Sequence, residues 1–383
     1  MLPELPVTEA LPALRAALNA RSNAVLIAPP GAGKTTILEA CIIAATGRSH
    51  RAGALREVIA GDGDQASIIV TVRDDDADTT DPLARSTLGV EISRAGRAKH
   101  VLNGTPRTSA ALGQRLRVAA FVPEETGLVV GAPSVRRGLL DRVASQWHRG
   151  YEATLTRYER ALRQRNRLLK DALEVDGAAR RAIAGEMRPW TEMLITTGSE
   201  VVAGRLALLA ALAPVLSATH EEVAPNEASL ETRYLSREEY RPDEAASECA
   251  ARLAQSFDQT AEAEGYQGYT LVGPHRDDIA FYVGGGDIAP TASRGQQRSL
   301  LLALLFAEIT LLTDEHGHPP VLLLDDAFSE LDPQRREHLV ARIAALPQSI
   351  ITATALEDLA PGLVAKASSR EIQRGPRGSV VAA

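Results

Sequence analysis

The stretch Ala28-Pro29-Pro30-Gly31-Ala32-Gly33-Lys34-Thr35 decides the fold. In front of it, residues 23–28 (NAVLIA) form an apolar run that halts at the two prolines, the pattern of a buried strand. Behind it, Ile37, Leu38, Ala40, Cys41, Ala44 and Ala45 recur at helical spacing over residues 35–46. Strand, glycine-rich turn and helix in succession are the setting of a Walker A loop, and only the first position departs, with Ala28 where glycine is usual. Gly31 and Gly33 allow backbone to approach phosphate oxygens, and the helix beginning near Lys34 offers oriented N–H groups. Lys34 is expected to reach the β and γ phosphates of ATP, and Thr35 to set its hydroxyl on Mg²⁺. The expected nucleotide contacts are therefore Ala28, Pro29, Pro30, Gly31, Ala32, Gly33, Lys34, Thr35 and Thr36.

Far downstream, residues 321–326 (VLLLDD) read as an apolar strand ending in two carboxylates, the form of a Walker B strand in a parallel sheet. Asp325 is the candidate metal ligand, with Thr35, and Asp326 the carboxylate that orients or deprotonates an attacking water. Lys34, Asp325 and Asp326 form the expected catalytic set. Just before the strand, Ser293-Arg294-Gly295-Gln296-Gln297-Arg298 opens an apolar helix and is similar to the ABC signature loop. Ser329-Glu330-Leu331-Asp332 follows as a D-loop would. In ABC ATPases the signature loop contacts the nucleotide held by a second subunit, so the resemblance implies an ATP-dependent homodimer completed by Ser293, Arg294, Gly295, Gln296 and Asp332.

The rest of the chain sorts around these motifs. Residues 11–19 suggest a short amphipathic helix, residues 68–122 are β-like with an Asn103-Gly104 hairpin turn, and residues 74–81 are an acidic loop. Residues 151–173 and 189–216 read as long helices, the first rich in arginine; residues 243–262 are helical and 269–283 strand-like before Gly284-Gly285-Gly286. Residues 296–313 and 333–345 read as helices, 349–354 as a strand, and the chain is expected to end in a frayed tail. The expected fold class is α/β: an ABC-type P-loop ATPase head, residues 1–145 and 263–383, interrupted by a mainly helical lobe, residues 146–262.

With 383 residues, 45% hydrophobic and 24% charged, the composition is that of a folded globular protein rather than a disordered or collagen-like one. Cys41 and Cys249 lack disulfide or zinc-ligand spacing and read as buried small hydrophobes. No long charge-free apolar run and no basic leader are evident, which sets the expectation of a cytoplasmic protein without membrane contact. A net charge of -7 argues against coating nucleic acid with the whole surface but permits a local basic stripe.

Taken together with Gly273-Pro274-His275-Arg276-Asp277-Asp278 before the signature, the motif set closely resembles the RecF family of bacterial recombination mediators. Supporting stretches are Leu38-Glu39-Ala40, Gly47-Arg48-Ser49-His50-Arg51, Leu102-Asn103-Gly104, Phe121-Val122-Pro123-Glu124 and Gly131-Ala132-Pro133-Ser134-Val135-Arg136-Arg137. The resemblance runs from about residue 31 to the end. It implies weak ATP hydrolysis, clamping of duplex DNA at gaps or single-strand/double-strand junctions, help in loading recombinase, and partnership with RecR of the RecO–RecR system.

Three departures stand against it. The family opens with two strands around an Asn-Phe-Arg-Asn motif that residues 1–30 lack; Pro30 and Thr36 replace asparagine; Ala28 replaces glycine. Residues 2–36 instead resemble the opening of an HrpB-type DEAH-box helicase, but no DExH box or second motor domain follows. An SMC-like structural ATPase is disfavoured because no heptad-patterned arms separate the Walker motifs. A nucleotide-binding-defective DNA-binding or interaction module is the rival from another class.

For the DNA backbone, the basic candidates are Arg115, Arg117, Arg136, Arg137, Arg157, Arg160, Arg163 and Arg165. Aromatic residues, 4% of the chain, do not interleave with them, which favours duplex backbone over stacked single strands. His275 reads as a structural hydrogen-bonding group.

Overall fold

The computed structural model describes residues 23–29, 31–73, 85–365, 367–375 and 378–382. The helix expected at 11–19 and the acidic loop at 74–81 lie outside these residues. In chain order the elements are β1 (Ala24–Ile27), α1 (Lys34–Thr46), β2 (Gln65–Arg73), β3 (Arg85–Ser93), β4 (Lys99–Leu102), β5 (Thr105–Arg107), α2 (Ser109–Gly113) and β6 (Val118–Phe121). Next come α3 (Pro133–Trp147), α4 (Tyr151–Asp171), α5 (Gly177–Val223), β7 (Leu230–Leu235), α6 (Ala246–Gln267), β8 (Asp278–Val283) and β9 (Gly286–Asp287). The chain closes with α7 (Arg294–His316), β10 (Val321–Asp325), α8 (Pro333–Ala344), β11 (Ser349–Ala353), α9 (Pro361–Val364), β12 (Ser368–Gly375) and β13 (Gly378–Ala382).

Two compact units result. The first holds the described residues through Leu128, then Ala218–Asn226 and Ala292 onward. Its main sheet runs β13-β12-β1-β11-β10-β6, parallel except for β13. The central strands are continuous apolar runs because helices cover both faces, so no alternation is needed. Leu26, Leu38, Ile42, Val118 and Leu323 are buried together with Leu88, Val90 and Ile92 of the antiparallel sheet β2-β3-β4-β5. The expected hairpin is there: Asn103 and Gly104 both take positive φ between paired Leu102 and Thr105. The end of the chain, expected to fray, instead adds β12 beside β1 and β13 beside β12.

The second unit spans Val129–Ser217 and Glu227–Thr291. It contains α3, α4, α6, most of α5, and the small sheet β7-β8-β9. Its limits differ from the divisions expected at 145/146 and 262/263. Helix α3 packs against α4 and β8, and β8 pairs with β7, so both flanking segments are drawn into this unit. Of the strand character expected over 269–283, only β8 forms. The backbone N–H of Thr270 is taken by Asn166 and that of Leu271 by Glu264, so side chains replace a ladder there. Among the described residues α5 alone is long and apolar enough to span a membrane by length and composition. Val201, Val202, Leu206 and Leu208 are buried in the fold, and its Arg205 pairs with Asp141 at 2.9 Å, so it reads as a core helix.

Candidate nucleotide site

The loop between β1 and α1 is built by its glycines. Gly31 and Gly33 adopt φ of 79° and 91°, left-handed values that cost glycine nothing. A Cβ on Gly31 would meet no atom within 4 Å, so the loop surface is open at that point. Gly33 caps α1 without a side-chain acceptor, which leaves first-turn N–H groups with no carbonyl behind them in the helix. Lys34, 5% exposed, folds back so that Nζ donates to the Ala28 carbonyl at 2.6 Å and the Pro29 carbonyl at 3.5 Å. Among the described residues no carboxylate pairs with this ammonium. A buried cation held by carbonyls at a helix N-terminus fits a phosphate chain. Thr36 is exposed and Ala28 buried in the core; Pro30 lies outside the described residues.

Parallel register brings the acids to the loop. β10 and β11 pair Asp325 with Thr352, and β11 pairs Ala353 with Ile27 of β1, so the three strand ends share one edge of the sheet. Thr35 Oγ1 donates to Asp325 Oδ2 at 2.7 Å. Thr352, absent from the sequence-based set, donates from Oγ1 to Asp325 Oδ1 at 2.6 Å and accepts the Asp326 N–H at 3.0 Å. Asp326 sits at φ 48°, a left-handed conformation that is uncommon outside glycine and easier for aspartate than for most residues. No group of three or more His, Cys, Asp or Glu gathers as a metal site among the described residues. The Thr35 hydroxyl and the Asp325 carboxylate offer two neighbouring oxygens, which suits a Mg²⁺ that keeps waters and takes its remaining ligands from phosphate.

The signature loop is a capped helix start. Ser293 Oγ accepts the Gln296 N–H at 3.2 Å, Gln296 Oε1 accepts the Ser293 N–H at 3.0 Å, and Gln297 Nε2 donates to the Ala292 carbonyl. Ser293 and Arg294 are exposed. Among the described residues no hydrogen bond or ion pair joins Ser293, Arg294, Gly295 or Gln296 to the P-loop. Asp332 caps α8 by accepting the Arg335 N–H at 3.0 Å.

Several stretches singled out in the sequence prove to be joints. In the first unit, Ser49 donates to the buried Glu39, Arg51 pairs with Glu39 and Glu124, and His50 lies 3.6 Å from Glu124. In the second, residues 131–137 meet residues 273–278. Arg136 forks onto Asp278 with two 2.7 Å bonds, and Arg137 donates to the Asp277 carbonyl. Arg205 donates to the Pro274 carbonyl, and Tyr234 donates to Asp277. His275 bonds Tyr158 at 2.6 Å, and burial pushes its imidazole down to about 4. Burial likewise pushes the Asp277 carboxyl up to about 7, against the opposing effects of Tyr234 and Arg205.

The basic candidates therefore separate. Arg136 and Arg165, expected at the DNA backbone, are interior groups instead: Arg165 is 5% exposed, donates to Glu264, Thr270 and Thr191, and lies over the Phe257 ring. Arg137 is half-buried and turned inward. Arg157, Arg160 and Arg163 are exposed along one side of α4; Arg157 reaches Glu200 at 3.3 Å, and the other two carry no ion pair among the described residues. In the first unit Arg115 is exposed and Arg117 half-buried.

Comparison with known proteins finds relatives that span most of the chain. The family model described as RecF/RecN/SMC N terminal domain matches residues 15–361, P-loop included, and lends no support to a helicase-like opening. A protein of Symbiobacterium thermophilum named DNA replication and repair protein RecF is 36% identical over 343 residues, covering 88% of this chain and 86% of its own. Two solved structures, described as the recombination mediator protein RecF with ATPrS and with ATP in the RecFOR pathway, are both 26% identical, with TM-scores of 0.79 and 0.75. Each comparison covers 94% of this chain and 92% of the other.

Proposed function

This chain belongs to the RecF family of the RecF/RecN/SMC ABC-type ATPases, and from that premise we propose that it is a weak ATPase whose two copies close around Mg-ATP while holding DNA. The observation that carries the reading is the joining of Lys34, Thr35, Asp325 and Asp326 at one sheet edge, with a helix start suited to an anion. In this reading Gly31 and Gly33 let backbone N–H groups bind the phosphates, and Lys34 leaves its carbonyls for the β and γ phosphates. Thr35 and Asp325 would hold the Mg²⁺, which neutralises charge as the terminal phosphoryl departs. Asp326 orients the attacking water and accepts its proton, and Thr352 keeps both carboxylates aligned.

Ser293, Arg294, Gly295 and Gln296 of a second copy, with its Asp332, close the site from the other side. That no hydrogen bond or ion pair joins this loop to its own P-loop among the described residues supports that division of labour. Arg157, Arg160 and Arg163 on the lobe, and Arg115 on the head, are the proposed contacts to the backbone of duplex DNA at gaps or junctions, and Arg117 a lesser one. ATP occupancy would then close the clamp in replication and recombinational repair in the cytoplasm, with recombinase loading and RecR of the RecO–RecR system as the downstream step and partner.

Sedimentation of the wild type and of Lys34→Ala, with and without Mg-ATP, tests the reading. A dimer that forms with Mg-ATP and is absent in the variant is expected. DNA binding without nucleotide binding in the wild type would instead favour an interaction module.

A further inference from the structure

We infer that Arg335, on the first turn of α8, is a positioning residue that ties the D-loop to the signature helix, so that the two surfaces offered to a second copy move as one. The inference rests on the split-site reading above. Arg335 Nε and Nη2 both reach Ser299 Oγ, at 3.0 and 2.6 Å, and Nη1 pairs with the Asp332 carboxylate. Ser299 is fully buried on the second turn of α7, one turn beyond the exposed loop at Ser293 and Arg294. A Cβ on Gly295 would come 3.7 Å from Arg335 Nη2, so the guanidinium also lies directly under the loop backbone.

Asp332 is bound twice by the same residue, through its carboxylate to the guanidinium and through the backbone N–H of Arg335 that it caps. The arrangement needs a planar fork with donors on two sides. Lysine, whose three donors all sit on one nitrogen, lacks the fork that spans the carboxylate and the serine on two sides. Ser299 and Asp332 belong to neither the P-loop nor the Walker B strand, so this tie bears on the placement of the two loops rather than on how one copy binds ATP. Its effect is on the relative placement of two loops whose partners lie on the other copy, where a small misplacement lowers association steeply.

The test measures two constants on each of wild type, Arg335→Ala, Arg335→Lys and Ser299→Ala. One is the affinity of the dilute monomer for a fluorescent ATP analogue; the other is the dimer dissociation constant by sedimentation at saturating Mg-ATP. The expected result is analogue affinity within about twofold of wild type, and dimerisation weakened about tenfold or more in all three variants. The double variant Arg335→Ala/Ser299→Ala should be no worse than Arg335→Ala, because the two changes remove one shared interaction. Unchanged dimerisation overturns the inference. So does a parallel fall in analogue affinity and unfolding midpoint, which would mark a merely structural arginine. A wild-type protein that stays monomeric in Mg-ATP overturns the split-site reading itself, and the inference with it.

Discussion

Replacing Thr352 by valine isolates the hydroxyl that joins the two acids of the site. Valine keeps the shape and suits a central strand, so the backbone of β11 is undisturbed. What disappears is a 2.6 Å bond to the Asp325 carboxylate and the acceptor for the Asp326 N–H at 3.0 Å, both at a residue 1% exposed. A bond to a charged group contributes about 1.5–3 kcal/mol, and a buried N–H left unpaired costs about 1–3 kcal/mol. The Asp326 backbone, at φ 48°, then loses one of the contacts that hold it, and its carboxylate shifts from the aligned position. If about 2 kcal/mol of this appears in the barrier, ATP turnover falls about 30-fold. Steady-state phosphate release should show that fall in Thr352→Val, with recovery in Thr352→Ser, while Mg-free nucleotide binding by Lys34 stays within about twofold. Turnover of the valine variant within about threefold of wild type, or a serine variant no better than valine, refutes the reasoning.

Truncating Arg165 to alanine leaves the wholly buried Glu264 without its charged partner and should lower unfolding free energy by about 3–5 kcal/mol in denaturant titration, with no specific fall in DNA affinity. Arg160→Ala/Arg163→Ala should do the reverse, leaving the unfolding midpoint alone and reducing the salt slope of DNA binding by roughly 0.9 for each phosphate no longer neutralised. The acid-side titrations of the lobe oppose each other. Asp277, shifted from 3.8 to about 7, keeps its proton longer when folded, so its contribution to stability is full below 3.8 and is lost as pH rises through about 7. His275, shifted from 6.5 to about 4, binds its proton less readily when folded, so its contribution is present above 6.5 and is lost as pH falls toward about 4. The two slopes offset between about 4 and 6.5, and Asp277→Asn should uncover the histidine slope as an unfolding midpoint that rises with pH across that window.

Much of the site was legible because its signals are local. The apolar run of β1, two glycines and a lysine sit within a dozen residues, and the Walker B strand ends in its own carboxylates. Thr352 was not legible, since its role comes from a strand register that pairs it with Asp325 across an intervening helix. Arg335 was hidden for the same reason: its partner Ser299 belongs to another helix. Arg165 is different, because a signal existed. Buried Tyr151, Leu155, Tyr158, Ala161 and Leu169 mark the inner stripe of α4, and Arg165 falls on it, four residues after Ala161 and four before Leu169. Arg136 carries a weaker form of the same mark, four residues before buried Leu140 and seven before Val143, while its partner Asp278 lies far along the chain. The closing strands β12 and β13 gave no clear strand pattern because residues 368–375 are mostly polar and join the sheet through their backbone.

Complementation between two inactive variants tests the shared site most directly. Lys34→Ala abolishes nucleotide contact on one copy and Ser293→Arg blocks the loop it offers to the other; each alone should turn over no ATP. Mixed in equal amounts, they should regain up to about half the wild-type rate, because neither variant pairs with itself and each mixed pair has one intact composite site of two. A mixture as inactive as its two components would contradict a site shared between copies.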